Sequence, residues 1–407
     1  MTNQEGMAAL TDDLLAAIFL RLPAPADLLR ASAVCAAFRR LVTARSFLRR
    51  FRSLHAAPFL GFVDRDAFHR ALPPHPSAPA ARAVSLAGDF SFSFLPTPRD
   101  GRWTVLDVRD GRFLLDLGRA PEEEDEYADE EYPAAFTDLA VCDPLQRRCL
   151  LLPRIPDTLA AVSVDHPFHV QFGCLCEPFL VPSGGDDDED EEETSFTVIR
   201  IAHSETNLLA LVFSSRTGQW RAVASQAWSD LLRGSGVSMG VIFSRQYACN
   251  CFYWMVGSTE NLLVFDTRRM EFSVACLPPG CYGQNHIAIV DAGESRPGLF
   301  SVREHVRDEA VDLCYTVRSS NQWQMEKTIP LDSGYRYYIR GATERYLLLV
   351  RCRREMNLRS LLDTRHFEWF SLDFKTLQLE NVCVLKHGSL RAHIYTNFPP
   401  SLLSPTV

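Results

Sequence analysis

Up to residue 57, apolar side chains recur at three-to-four spacing, the mark of amphipathic helices. Thr11 is placed to cap a first helix, with Asp12 and Asp13 in the first turn, where the helix dipole favours anions. Leu14, Leu15, Ile18, Phe19 and Leu22 make one apolar stripe along it, and Pro23 and Pro25 stop it. Pro25 also suits the start of a short second helix through Leu28 and Leu29. Ser32 is expected to cap a third, carrying Val34, Cys35, Phe38, Leu41 and Val42. Ser46 is expected to begin a fourth, with Phe47, Leu48, Phe51 and Leu54 on one side and Arg49, Arg50 and Arg52 on the other. Helices this short cannot bury their stripes alone, so they must pack on one another or on a partner.

From residue 58 the period becomes two. Runs rich in Val, Leu, Phe, Tyr and Cys alternate with Gly, Pro, Asp and Ser turns, the pattern of short strands. One hairpin theme recurs, an apolar strand, a polar turn, then a strand opened by a bulky residue: Leu139 to Cys149, Leu211 to Trp220, Leu263 to Phe272, Cys314 to Trp323 and Phe370 to Leu379. The residues before the turns are Asp143, Ser214, Asp266, Val317 (a departure) and Asp373, at intervals of 71, 52, 51 and 56 residues. A period of about fifty residues with about four strands per unit is that of a propeller blade. Five units are visible, and the segments Phe59 to Val63 and Val84 to Leu95 could join Ile394 to Phe398 in a sixth, closed from both chain ends. The expected fold class is thus a small all-α module followed by a large all-β domain, a β-propeller of six blades, with five or seven as alternatives.

Charge modifies this picture in two places. The formal net charge is −9, yet 122–131 and 186–193 hold eight carboxylates each, and removing those sixteen negative charges leaves +7. Like charges repel and bury nothing apolar, so both runs read as solvated loops, at 121–132 and 184–194, inserted in a mildly basic body. A lure for a basic partner is the other reading. No apolar run is long enough to span a bilayer, and no apolar segment follows the polar start, so neither a membrane nor secretion is expected. The twelve cysteines then read as reduced thiols of a cytoplasmic or nuclear protein.

Residues 10–57 resemble the F-box. The resemblance is carried by Leu10 to Leu15, Ile18, Leu22-Pro23, Asp27 to Ser32, Val34-Cys35 and Phe38 to Leu41, in order and at the spacing of that motif. Thr11 stands where the family usually has Pro, and Phe38 where it often has Trp. The remainder is similar to plant F-box-associated β-propellers, chiefly in the Leu139-Ala-Val-Cys-Asp-Pro hairpin that ends at Leu151-Leu152-Pro153. The organisation implied is a flexible tail over 1–9, the F-box over 10–57 and the propeller over 58–407. The resemblance implies a Skp-type adaptor and, through it, a cullin as partners, with an unknown protein substrate on the propeller. The function implied is that of the substrate-recognition subunit of an SCF-type ubiquitin-protein ligase, a receptor rather than an enzyme. Its adaptor-binding residues would be Leu10, Leu14, Ile18, Leu22, Pro23, Leu28, Leu29, Val34, Cys35, Phe38 and Leu41, divided between a helical core and the adaptor groove. A non-proteolytic F-box scaffold and a propeller hydrolase are the alternatives.

Catalytic and metal signals are weak, and no catalytic residue, cofactor or metal ligand is assigned. Gly236-Val-Ser238-Met-Gly240 has the Gly-x-Ser-x-Gly spacing, but a polar stretch precedes it and an apolar run follows, the reverse of a nucleophile elbow. Cys174 and Cys176, like Cys249 and Cys251, would share one face of a strand and read as buried thiols, since zinc pairs usually have a two-residue gap. His166 and His169 near the first pair tempt a metal reading, but in a strand that spacing points the rings to opposite faces. Arg351, Arg353, Arg354 and Arg359 read as a solvated strand face, and nucleic acid is not an expected partner. The tryptophans Trp103, Trp220, Trp254, Trp323 and Trp369 read as blade-packing residues.

Overall fold

The computed structural model describes residues 11–397 apart from 24, 65–66, 97, 99–100, 120–136, 160–177, 183–194, 204–206, 233–241, 258, 279–280, 282–286, 306–309, 320–321, 355–365, 387–388 and 390–391. Leu10, both acidic runs, Cys174, Cys176, His166, His169, Gly236 to Gly240, Arg359 and Phe398 therefore lie outside the described residues.

Four helices come first: α1 (Asp12–Phe19), α2 (Pro25–Ser32), α3 (Ala36–Val42) and α4 (Arg45–Leu54). Thr11 caps α1 as expected, its hydroxyl accepting from the Leu14 N–H at 3.4 Å. Four boundaries differ from expectation: α1 ends at Phe19, short of Leu22, α3 starts at Ala36, past Val34 and Cys35, and the remaining two concern Ser32 and the start of α4. Ser32 closes α2 instead of opening α3, because its hydroxyl donates back to the Leu29 carbonyl at 2.7 Å. The fourth helix starts at Arg45, and Leu54 at its last position is 60% exposed while Phe47, Leu48 and Phe51 are buried.

The rest is a six-bladed propeller of antiparallel sheets. Blade one is β3 (Gly101–Arg109), β4 (Arg112–Arg119), β5 (Asp138–Asp143) and β6 (Arg148–Leu151). Blade two is β7 (Phe179–Leu180), β8 (Thr197–His203), β9 (Asn207–Ser214) and β10 (Gln219–Ala227). Blade three is β11 (Ile242–Ala248), β12 (Cys251–Val256), β13 (Asn261–Asp266) and β14 (Glu271–Cys276). Blade four is β15 (Ile287–Asp291), β16 (Pro297–Glu304), β17 (Val311–Ser319) and β18 (Gln322–Leu331). Blade five is β19 (Tyr335–Ala342), β20 (Tyr346–Arg353), β21 (Phe367–Asp373) and β22 (Gln378–Leu385). Blade six joins both ends: β1 (Phe59–Val63) lies between β2 (Phe68–Arg70) and β23 (His393–Thr396). Here Phe59 pairs with Thr396, and Val63 with His393.

Val84 to Leu95, expected to be a strand in that blade, is not one. Ala78–Ala87 forms helix α5, because Ala78, Ala81 and Val84 at three-residue spacing put one small apolar face against β1 and β2. Its strand role falls to Phe68–Arg70.

The middle strands read as unbroken apolar runs because both faces are buried between neighbouring blades. On β9, Leu209, Leu211 and Phe213 pack toward blade one, while Leu208, Ala210 and Val212 pack toward blade three. On β20, Leu347 and Leu349 join the core with blade four, while Leu348 and Val350 join the one that blade five shares with blades six and one. Two tryptophans tie blade to blade as well: Trp220 Nε1 donates to the Pro153 carbonyl at 2.8 Å, and Trp323 Nε1 to the Cys276 carbonyl at 3.1 Å.

Candidate functional site

The expected single stripe of α1 divides in two. Leu15 and Phe19 turn inward, 8% and 6% exposed, whereas Leu14 and Ile18 are 53% and 48% exposed. The inward set meets Leu20, Leu28, Phe38, Val42, Phe47, Leu48 and Phe51 in one core. Phe19 and Phe38 meet edge to face at 4.9 Å, so Phe fills the position where Trp is more usual. His55, after α4, holds the end of α1 through a 2.7 Å hydrogen bond between Nε2 and the Leu20 carbonyl.

This core sorts the candidate adaptor-binding residues. Leu28 and Phe38 are interior, and Leu22, Leu29 and Leu41 are half-buried against the core. Leu14, Ile18, Val34, Pro23 and Cys35 are exposed, Val34 by 65%. Leu15 and Phe19, absent from the candidate set, do the structural work that Leu14 and Ile18 do not. The helical module therefore has a complete interior and a separate set of apolar side chains outside it.

A second constellation lies among the inner strands of the propeller and was not anticipated. Asp107 on β3 is 3% exposed. It accepts from the Leu180 N–H at 3.0 Å in blade two and lies 3.3 Å from the Arg245 guanidinium in blade three. Arg109 is 3.4 Å away on its own strand, and His393 Nδ1 of blade six is 3.6 Å away. Burial by itself pushes the Asp107 carboxyl up, but Arg245, Arg109, His393 and the Leu180 N–H prevail and hold it at about 2. Arg245 also stacks over Phe179 at 4.9 Å, and Arg109 over Tyr247 at 4.9 Å. One sequence signal could have revealed this hub: a carboxylate inside the apolar run Val105-Leu106-Asp107-Val108. The surrounding cations hold the Asp107 carboxylate ionised, so the arrangement works as a strut between blades.

The other chemical candidates resolve as follows. Cys249 and Cys251 do not share a strand face: Cys249 and Asn250, with φ of 51° and 58°, form the two-residue turn between β11 and β12. Burial, then Asp291, pushes the Cys249 thiol up to about 12, leaving it a weak nucleophile. Among the described residues no three His, Cys, Asp or Glu side chains converge as metal ligands. Arg351 spans Glu368 at 2.7 Å and stacks over Tyr335 at 4.0 Å, and Arg354 pairs with Glu304 at 3.1 Å. These two are held within and between blades four and five, which leaves them no part in a free basic patch.

Comparison with known proteins bears on the helical module. Residues 10–53 match the F-box-like family model. The match begins at Leu10 and ends within α4. No curated protein sequence matches the chain. Among solved structures, the β-propeller domain of the trilobed protease from Pyrococcus furiosus is similar at 8% identity and a TM-score of 0.36, over 70% of this chain and 72% of that one. A putative 6-phosphogluconolactonase from Bacteroides fragilis is similar at 11% identity and a TM-score of 0.33, over 70% of each chain. The WD40 domain of SCAP from fission yeast follows at 9% and 0.30, over 73% and 90%. At TM-scores this low the propeller assignment rests on the strand pairing itself. No described helix is long and apolar enough to cross a membrane.

Proposed function

We propose that the chain is the substrate-recognition subunit of an SCF-type ubiquitin-protein ligase, binding a Skp-type adaptor and through it a cullin with the F-box, and a target protein with the propeller. The observation that carries this reading is the division within the F-box: Leu14, Ile18, Val34 and Cys35 stay outside a helical core that is complete without them. Apolar side chains left out in this way offer a partner a surface to cover. The chain would supply proximity and orientation between target and transfer machinery rather than a nucleophile.

The test is co-purification of the full chain with adaptor and cullin, comparing wild type with Leu14→Asp/Ile18→Asp. Wild type should retain both partners. The double variant should lose them while its propeller keeps its unfolding temperature, because neither side chain belongs to a core. Retention of the adaptor by the double variant would overturn the assignment of this face. Adaptor without cullin would favour the non-proteolytic scaffold, and capture of neither partner by wild type would overturn the receptor reading.

A further inference from the structure

A cavity of about 410 Å³ opens between blades four and five, lined by Asp291, Glu294, Tyr315, Glu344, Phe374 and Lys375 together with the backbone at 292–293. Its walls come from the β15–β16, β19–β20 and β21–β22 turns, with Tyr315 reaching in from β17. Tyr315 stacks on Phe300 at 4.6 Å, and its ring passes so close over Gly298 that a Cβ there would sit 2.9 Å from it. Phe374 lies 5.9 Å from Phe300 on the far side. Two aromatic rings thus stand in a concave site whose polar lining is mainly carboxylate.

We propose that this cavity holds a cationic side chain, arginine or lysine, of the target protein, seated against Tyr315 and Phe374 and paired with Asp291 and Glu344. The inference rests on the receptor reading above and names the chemistry its target must present. Aromatic faces and carboxylates around one cavity favour a guanidinium or ammonium group and disfavour an anion. Lys375 is the cation of the lining, yet the Glu344 side chain makes no hydrogen bond or ion pair with it or with any other described residue. Glu344 is exposed as a residue, but desolvation of its carboxyl by the pocket wall, then Asp110 and Asp291, raises it above the usual range, against the pull of Arg109 and Lys375. Glu294 is committed elsewhere, 3.4 Å from Arg296. Phe59, the first residue of β1, packs against Tyr346 beside Glu344, so the pocket opens on the side of the ring where the F-box joins.

The experiment is ligand-observed saturation-transfer NMR on the full chain, with N-acetyl-arginine methylamide and N-acetyl-lysine methylamide as probes. N-acetyl-citrulline methylamide supplies the neutral isostere of the first, and N-acetyl-glutamate methylamide the anion. Both cations should bind, the citrulline probe about three- to fivefold more weakly, and the glutamate probe not at all. Glu344→Gln should weaken the arginine probe by a similar factor, whereas Lys375→Gln should strengthen it. Opposite signs from two exposed substitutions cannot arise from a common loss of structure, and equal unfolding temperatures would confirm that both variants fold. Equal binding of arginine and citrulline probes, or the same response in both variants, would overturn the proposal. Adaptor capture by the same preparation separates the two readings: adaptor binding without cation binding rejects the pocket alone, and loss of both rejects the receptor.

Discussion

Leu14 and Leu28 are the same residue type in the same module, and their environments assign them opposite work. Leu28 is fully buried, so Leu28→Ala should cost about 2–5 kcal/mol and unfold a module this small, read as loss of helical signal in the isolated residues 1–57 if those fold alone. Leu14→Ala should change stability by less than about 0.5 kcal/mol and register only in adaptor affinity. Two buried titratable residues predict the pH dependence of the propeller. His75, 5% exposed, accepts from the Ser77 N–H on Nδ1 and donates from Nε2 to the Ser371 hydroxyl, and burial lowers its pKa to about 4. The unfolded chain binds that proton at about 6.5, so stability should fall as pH drops from about 6.5 to about 4. Asp107, held at about 2, contributes stability that is complete above about 4 and lost as pH falls through about 2. At pH 7, Asp107→Asn should cost about 3–5 kcal/mol by leaving Arg245 and Arg109 without their counter-charge. The measurement is the unfolding temperature from pH 7 to pH 2: the gap between wild type and Asp107→Asn should close only at the acid end, and a constant gap would remove the carboxylate from the account.

At the scale of elements, the recurring hairpin is one turn built four times. Asp143 pairs with Arg148, Ser214 with Gln219, Asp266 with Glu271 and Asp373 with Gln378, each across four intervening residues. The last of the four has positive φ in every case, at Arg147, Gly218, Met270 and Leu377. Where the first position is Asp, its carboxylate accepts two backbone N–H groups of the turn, as Asp266 does from Arg268 at 2.8 Å and Arg269 at 3.0 Å. That is why Asp recurred at this point of the period. Val317, the exception, offers no such acceptor, and there the strands run on until Ser319 pairs with Gln322. Exposed Arg147 sits at a φ of 51° where blade two has Gly218, so Arg147→Gly should raise stability by up to about 1 kcal/mol. Asp266→Ala should lower it by about 1 kcal/mol. Thermal unfolding of the two variants checks both signs.

At the scale of the molecule, closure of the ring depends on residues more than three hundred positions apart. Tyr395 of β23 is fully buried and packs against Phe68, Phe90 and Phe113, joining blade six to blade one. Inner strand β23 lies beside β3 on one side and β19 on the other, and Asp107 ties inner strands of blades one, two, three and six. Truncation after Lys386 removes β23 and opens two blade interfaces at once. The whole propeller should become protease-sensitive, while adaptor capture by the soluble fraction survives, since no F-box residue takes part in closure. A soluble, protease-resistant truncation would mean that the remaining blades stand without the ring.

Periodicity alone determined the helical module and the blade repeat, because each follows from the spacing of apolar side chains along one segment or from turn chemistry within a few residues. The acidic hub of the inner strands, the cavity between blades four and five and the role of α5 required the assembled ring. Asp107 meets Arg245 and His393 only once separate blades stand side by side, and no local pattern encodes those distances. The same limit applied inside the F-box. Leu14, Leu15, Ile18 and Phe19 form one stripe by spacing, but only the packing of the other helices around α1 decides which two face the core and which two stay exposed. Burial is a property of neighbours in space, and a helix presents both edges of its apolar stripe until those neighbours arrive.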